Sequence, residues 1–251
     1  MLTQPLLDKL DALRLYGLRA GLAEQFASAQ YAELSFEDRL GLLVDAEWTA
    51  RANANFQRRL KAAHLHQTAT IEDLDLAAAR GLDRAQVLSL AAGDWIDKHL
   101  GVIVLGPTGA GKTYVACALG HAACRLNHTV RYERLGRLLF ATGLAHADGS
   151  YTRLLDQLRR VDLLILDDFL RDALTPAQTR DLADILDDRY GRQATLVAAQ
   201  VPVEDWHARL ADPTLADAIL DRLVHNAYRL QLKGDSQRKT RASLAMSITS
   251  N

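Results

Sequence analysis

One octapeptide constrains this chain more than any other feature: Gly106-Pro107-Thr108-Gly109-Ala110-Gly111-Lys112-Thr113. It matches G-x-x-x-x-G-K-[ST], and its flanks have the right character. The apolar run GVIVL (101–105) reads as a strand leading in, and YVACALGHAACRL (114–126) reads as a helix leading out. In that setting the glycines let backbone N–H groups turn inward around phosphate oxygens, and the helix N-terminus adds its positive end to the same anion. Lys112 is then expected at the β- and γ-phosphates and Thr113 at Mg²⁺. The competing reading, a chance glycine-rich turn, does not explain why strand, loop and helix come in this order. Gly106 to Thr113 are therefore expected to bind ATP with Mg²⁺.

A strand, loop and helix of this kind also set the fold class of the chain beyond them. Short apolar runs continue to alternate with segments of helical period: VRYE (130–133), DLLILD (162–167), ATLVAA (194–199) and YRLQL (228–232). That alternation predicts an α/β fold, a mostly parallel sheet flanked by helices. Thr175-Pro176-Ala177-Gln178 opens one of the helices, with Thr as cap, Pro in the first turn and Gln reaching back. Residues 1–66 differ, reading as helices throughout. Leu6, Leu7, Leu10, Leu13 and Leu18 recur near helical spacing. Ser35 with Asp38 is a variant capping box before a long amphipathic run through Leu40, Leu43, Val44 and Trp48, which no proline interrupts before Leu60. A polar joint comes next at His66 to Thr70, and residues 71–98 read as short helices and turns. The expected organisation is a small all-helical domain, 1–66, and a P-loop ATPase domain, 67–251.

The strand DLLILD ends in Asp167 and Asp168. Carboxylates at the end of a central strand beside a P-loop suit a metal–phosphate site. Asp167 is expected to serve Mg²⁺, directly or through water, and Asp168 to polarise the attacking water. The plainer reading is that both acids cap the next segment. The strand ATLVAA ends at Gln200, which either holds the attacking water or the γ-phosphate or is an ordinary loop amide. Arg222 either points into the ATP of a neighbouring subunit or makes a surface salt bridge with Asp217 or Asp221. Arg238, in GDSQR, either returns to the γ-phosphate of its own subunit or lies on the surface.

Charge and composition exclude some partners. Hydrophobic residues make up 49% and charged residues 24%, the balance of a soluble folded chain. The N-terminus mixes acids among its leucines, and no run approaches the ~20 apolar residues of a membrane helix. A cytoplasmic protein without membrane contact is expected. Cys117 and Cys124 lie about two helical turns apart, roughly 10 Å along the axis. That is too far for a disulfide, and they read as small buried hydrophobes. The net charge of -1 does not exclude nucleic acid, because residues 51–66 hold Arg51, Arg58, Arg59 and Lys61 and no acid. Arg51 and Arg58 share a helix face and Arg59 flanks it, a stripe able to neutralise duplex DNA phosphates. The alternative is a solvated face compensated by Glu37, Asp38, Asp45 and Glu47. Lys233, Arg238, Lys239 and Arg241 form a second basic cluster. Neither cluster has a base-reading pattern, so contacts are expected mainly with the DNA backbone.

Taken together, these residues resemble the IstB-type ATPases, helper proteins of certain insertion-sequence transposons related to the DnaC helicase loaders within the AAA+ proteins. The likeness covers FEDRLGLLVDAEW (36–48), AARGLDRAQVLSLAAGDWI (78–96), the P-loop and its helix, LLILDDF (163–169), VPVEDWH (201–207) and DPTLADAILDRLVHNAYRLQLKGDSQRK (212–239). The resemblance implies an ATP-dependent DNA-binding protein that oligomerises on DNA and stimulates a partner transposase. It also implies Gln200 at the first sensor position, Arg222 as the intersubunit finger and Arg238 as a sensor arginine. Two positions depart from the family pattern. Phe169-Leu170 stand where Trp-Gly is usual, removing a flexible glycine beside the water-activating acid, and Ala199 stands where Ser is usual. Three other readings stay open: a helicase loader, a small-molecule kinase, and a nucleotide-gated DNA-binding protein that barely hydrolyses ATP. The kinase reading lacks an arginine-rich lid and leaves the basic stripe unexplained.

Overall fold

The computed structural model describes residues 3–76 and 81–234. The chain divides into two compact units, Met1–Arg58 and Arg59–Asn251.

The first unit is helical: α1 (Thr3–Ala12), α2 (Tyr16–Ala27) and most of α3 (Phe36–Ala62). Ser35 opens α3, its hydroxyl accepting from the Asp38 N–H at 3.1 Å and donating to the Asp38 carboxylate at 2.7 Å. The start of α2 lies against α3 at Gly17, where a Cβ would sit 2.4 Å from the Ala46 carbonyl oxygen, too close for any other residue. The Glu47 carboxylate accepts from the Gly17 and Leu18 N–H groups at 2.9 and 3.1 Å, so an anion holds the positive end of α2. Within the amphipathic run of α3 only Leu43 is buried, whereas Leu40, Val44 and Trp48 are exposed.

The second unit carries a five-stranded sheet in the order β2-β3-β4-β1-β5, with every neighbouring pair parallel. The strands are β1 (Gly101–Leu105), β2 (Val130–Arg134), β3 (Leu163–Asp167), β4 (Ala194–Ala199) and β5 (Ala227–Gln231). The helices are α4 (Arg84–Ala91), α5 (Asp94–Asp97), α6 (Lys112–Arg125), α7 (Leu135–Asp148), α8 (Tyr151–Arg160), α9 (Pro176–Arg189) and α10 (Pro213–Val224). β3 and β4 are buried along their whole length, which accounts for the unbroken apolar runs in the sequence. β5 begins one residue earlier than YRLQL, and Leu232 continues the pairing by donating to the Leu105 carbonyl at 2.8 Å. Thr175 and Gln178 form the expected reciprocal cap of α9. Cys117 and Cys124 are buried and free, and burial pushes both thiols up, Cys124 to about 11.

Arg189, at the end of α9, is 1% exposed. It donates to the Val161 carbonyl at 3.0 Å and the Thr195 hydroxyl at 3.1 Å, and also to the carbonyls of Leu158 and Ala194. One guanidinium thus joins the ends of α8 and α9 to the start of β4, and its desolvation lowers its pKa to about 10.

The division at Arg58–Arg59 falls earlier in the chain than the polar joint at His66. The last turn of α3 and the residues after it are bonded into the sheet unit. The Arg59 Nε donates to the Cys124 carbonyl at 3.0 Å, and the Ala63 carbonyl accepts from the Tyr132 N–H at 2.9 Å. The Leu65 side chain lies 3.0 Å from where a Cβ on Gly120 would be, so the bare helix surface at Gly120 admits it.

Candidate nucleotide site

In a parallel sheet the carboxyl ends of neighbouring strands meet along one edge, and that edge is where loops converge on a ligand. Here the register brings Leu105 of β1 level with Ala199 of β4; the P-loop follows β1, Asp167 ends β3 with Asp168 just after it, and Gln200 follows β4. The P-loop has its shape because of its glycines. Gly111 has φ 100° and sits at the N-cap of α6, so the positive end of that helix faces the P-loop, where it suits an anion. A Cβ on Gly106 would lie 2.9 Å from the Leu232 carbonyl oxygen, so the loop passes β5 as closely as it does because no side chain intervenes. Lys112 Nζ donates to the Pro107 carbonyl at 3.0 Å, placing the ammonium across the mouth of the loop. Thr108 Oγ1 donates to Gln200 Oε1 at 2.7 Å, which brings the end of β4 onto the P-loop.

Asp167 is 2% exposed. Its Oδ1 accepts from the Asp168 N–H at 2.8 Å. Its Oδ2 accepts from Thr113 Oγ1 at 2.7 Å and from Tyr132 Oη at 2.6 Å. A threonine hydroxyl and a carboxylate in contact beside a P-loop are the hard oxygen donors that suit Mg²⁺. Burial, and then the Asp167 carboxylate, push the Tyr132 phenol well above its ordinary range, so it remains an O–H donor. Asp168 has φ 52° and is more exposed, and its carboxylate lies between Arg171 at 3.7 Å and Arg134 at 4.0 Å. Leu170 has φ 48° in a fully buried position, and Phe169 packs on Trp206 with ring centroids 4.8 Å apart. The left-handed backbone that a glycine adopts freely is therefore kept here by a buried leucine. Asp168, Lys112, Thr113 and Gln200 line one cavity of about 220 Å³, which Gln67, Asp73, Leu74 and Leu82 also line.

The remaining candidates lie elsewhere. Arg222 sits at the opposite end of the sheet, lining a separate cavity with Gly101 and Thr195 at the strand starts. It donates to the Ala218 carbonyl at 2.8 Å and pairs with Asp187. The acids expected as its salt-bridge partners pair with histidines instead, Asp217 with His207 at 3.4 Å and Asp221 with His225 at 2.7 Å. On α3, Arg51 pairs with Glu47 at 2.6 Å, Arg58 bonds Asn55 at 3.2 Å, and Lys61 is exposed. Arg59 turns inward to Cys124 and, at 2.7 Å, to Asn127. Arg238 lies outside the described residues, as do Lys239 and Arg241.

Tyr132, Arg134 and Arg171 do not stand out in the sequence. Tyr132 has a usable signal, because in VRYE the alternation turns Val130 and Tyr132 to one side, and a phenol on a buried face needs a polar partner. Arg171 has none, since the turn after Asp168 is not encoded by a glycine.

The profile of the IstB-like ATP binding protein family matches residues 8–245. An insertion-sequence ATP-binding protein of Sinorhizobium fredii is 46% identical over 239 residues, covering 95% of this chain and 98% of that protein. Among solved structures, DnaI is similar with a TM-score of 0.57 at 20% identity over 70% of this chain and 94% of that one. The DnaC helicase loader is similar with a TM-score of 0.52 at 17% identity over 70% and 99%. These two likenesses share the fold, a parallel sheet flanked by helices.

Proposed function

Since the chain belongs to the IstB-like ATP binding protein family, we propose that it is a DNA-assembled regulatory ATPase of an insertion sequence, with a transposase as its partner. The observation that carries the ATPase reading is the contact of Thr113 with Asp167 beneath the P-loop, at 2.7 Å. Backbone N–H groups of the loop Gly106 to Thr113, Pro107 excepted, hold the phosphates, and Lys112 leaves the Pro107 carbonyl to meet the γ-phosphate. Thr113 and Asp167 would hold Mg²⁺, which would offset charge on the phosphate oxygens. Asp168 orients and polarises the attacking water, and Gln200, next to Thr108, fixes that water or the γ-phosphate. Arg171 and Arg134 pair with the Asp168 carboxylate from two sides and aim it.

Arg222 is too far round the sheet to reach its own nucleotide, so its role is intersubunit: it exchanges Asp187 for the ATP of a neighbour in a homo-oligomer. Arg238 is assigned to the γ-phosphate of its own subunit on the strength of the family resemblance alone. DNA contact falls to Arg51, Arg58 and Lys61, which reach solvent from α3, through backbone phosphates and with little sequence preference. Arg59 is engaged by α6 and instead anchors the end of α3.

The test is ATP turnover by the purified chain with and without duplex DNA, with assembly size monitored in parallel. DNA-stimulated turnover together with ATP-dependent assembly is expected. Turnover by a monomer that ignores DNA would overturn the regulatory reading and return a small-molecule kinase to consideration. Capture of a replicative helicase in place of a transposase would favour the loader. Lys112→Ala should weaken ATP binding at least roughly a hundredfold, since a charge-assisted phosphate contact is lost; equal affinity in titration calorimetry would remove the site assignment.

A further inference from the structure

Tyr132 stands outside the P-loop, the acidic pair and the arginines, yet it bonds two different parts of the molecule. Its hydroxyl donates to Asp167 Oδ2 at 2.6 Å. Its main-chain N–H donates to the Ala63 carbonyl at 2.9 Å. Its ring is stacked at 13° on that of His66, centroids 6.0 Å apart, and His66 Nε2 lies 2.8 Å from Arg134 Nη2. β2 is an edge strand, so a free row of backbone groups faces away from β3, and the residues just after α3 take one of them. Asp167 meanwhile receives three donors, and of these Tyr132 alone comes from neither the P-loop helix nor the segment of Asp167 itself.

We propose that Tyr132 is a positioning residue that ties the orientation of Asp167 to the end of helix α3, so that filling the Thr113–Asp167 site is felt at residues 59–67. The inference rests on the nucleotide reading of that site. Its physical basis is continuity. The phenol is rigid and 6% exposed, so a shift of the carboxylate moves the ring, and the ring shares its residue with the backbone bond to Ala63. By linkage the effect runs both ways: a change imposed on the end of α3 alters the affinity of the site for a cation-bound nucleotide by the same factor.

The test compares the full wild-type chain with Tyr132→Phe, which removes one oxygen and leaves the ring. ATP affinity is measured in excess chelator and in Mg²⁺, and backbone amide exchange is monitored at residues 59–67 and 132. In the wild type, Mg²⁺ should tighten ATP, and Mg²⁺-ATP should slow exchange at those residues severalfold. In Tyr132→Phe the affinity in chelator should stay within about twofold, because Gly106 to Lys112 are untouched. The gain from Mg²⁺ should shrink roughly tenfold, the worth of one hydrogen bond to a charged group. The exchange response should vanish while ATP is bound. A merely structural loss would weaken binding equally in chelator and in Mg²⁺, and that result overturns the proposal. So does a variant that keeps either the full Mg²⁺ gain or the exchange response. A wild-type chain that binds no ATP in either condition overturns the nucleotide reading, and the inference falls with it.

Discussion

The two units of this chain bury their apolar residues very differently. In the sheet unit Trp206 is 0% exposed, β3 and β4 are enclosed along their length, and the buried Arg189 has a partner at each of its three nitrogens. In the helical unit Phe36 is 72% and Trp48 77% exposed, and Leu43 is the one buried residue of the α3 run. Phe36, Leu40, Val44 and Trp48 recur every four residues and so form one exposed ridge on α3. The difference teaches that apolar periodicity reports a helix face but not what covers it. The sheet unit is held by dense packing together with bonded buried polar groups, whereas among the described residues of the helical unit the buried apolar side chains are Leu7, Leu10 and Leu43, supplemented by the Glu47 bonds and the close approach at Gly17.

The sharpest way to test that contrast is Arg189→Met. The substitution keeps bulk but strips the carbonyls of Leu158, Val161 and Ala194 and the Thr195 hydroxyl of their donor. Several buried acceptors left without a donor should cost roughly 3–5 kcal/mol, read as a lowered midpoint in urea with the slope unchanged. A loss below about 1 kcal/mol would mean that the sheet unit tolerates an unpaired interior and that packing alone holds it.

Gly17→Ala should come next, with an effect confined to the helical unit. The added Cβ meets the Ala46 carbonyl oxygen at 2.4 Å, so α2 must shift from α3 and stretch the bonds from Gly17 and Leu18 to Glu47. Forced overpacking of this kind costs about 1–3 kcal/mol. Amide exchange across α2 should quicken while ATP affinity stays as in the wild type. Loss of ATP binding in this variant would show that the two units do not hold their structures separately.

Much of the sheet unit is legible in the sequence because its elements are locally coded. Five apolar runs mark the five strands, the octapeptide marks the turn into α6, and Thr175 with Gln178 marks the start of α9. The parallel register then brings Asp167, Thr113 and Gln200 together from three separate segments, which no single segment encodes. The hidden part depends on contacts distant in the chain. Arg59 reads as one more cation in a basic stripe, and only the end of α6 engages it. Arg222 reads as a partner for Asp217 or Asp221, but Asp187 on α9 takes it. Leu170 carries the backbone angle of a glycine without being one, since burial and the packing of Phe169 on Trp206 hold the turn. The run Leu40, Val44 and Trp48 reads as the inward face of an amphipathic helix, and here periodicity finds the right helix with its apolar ridge in water.

The smallest expected effect is that of Trp48→Ser, and it tests the exposed ridge directly. A tryptophan 77% exposed has little surface left to lose on unfolding. Its removal should therefore change the stability of the isolated chain by less than about 0.5 kcal/mol, within the range of surface substitutions. The fluorescence lost on removing Trp48 should be the water-exposed part of the emission, since Trp95 and Trp206 are 2% and 0% exposed. A cost above about 2 kcal/mol, or loss of blue-shifted emission, would place Trp48 in a covered environment. The ridge would then be core, the contrast between the units would disappear, and α3 would owe its stability to the apolar burial that governs β3 and β4.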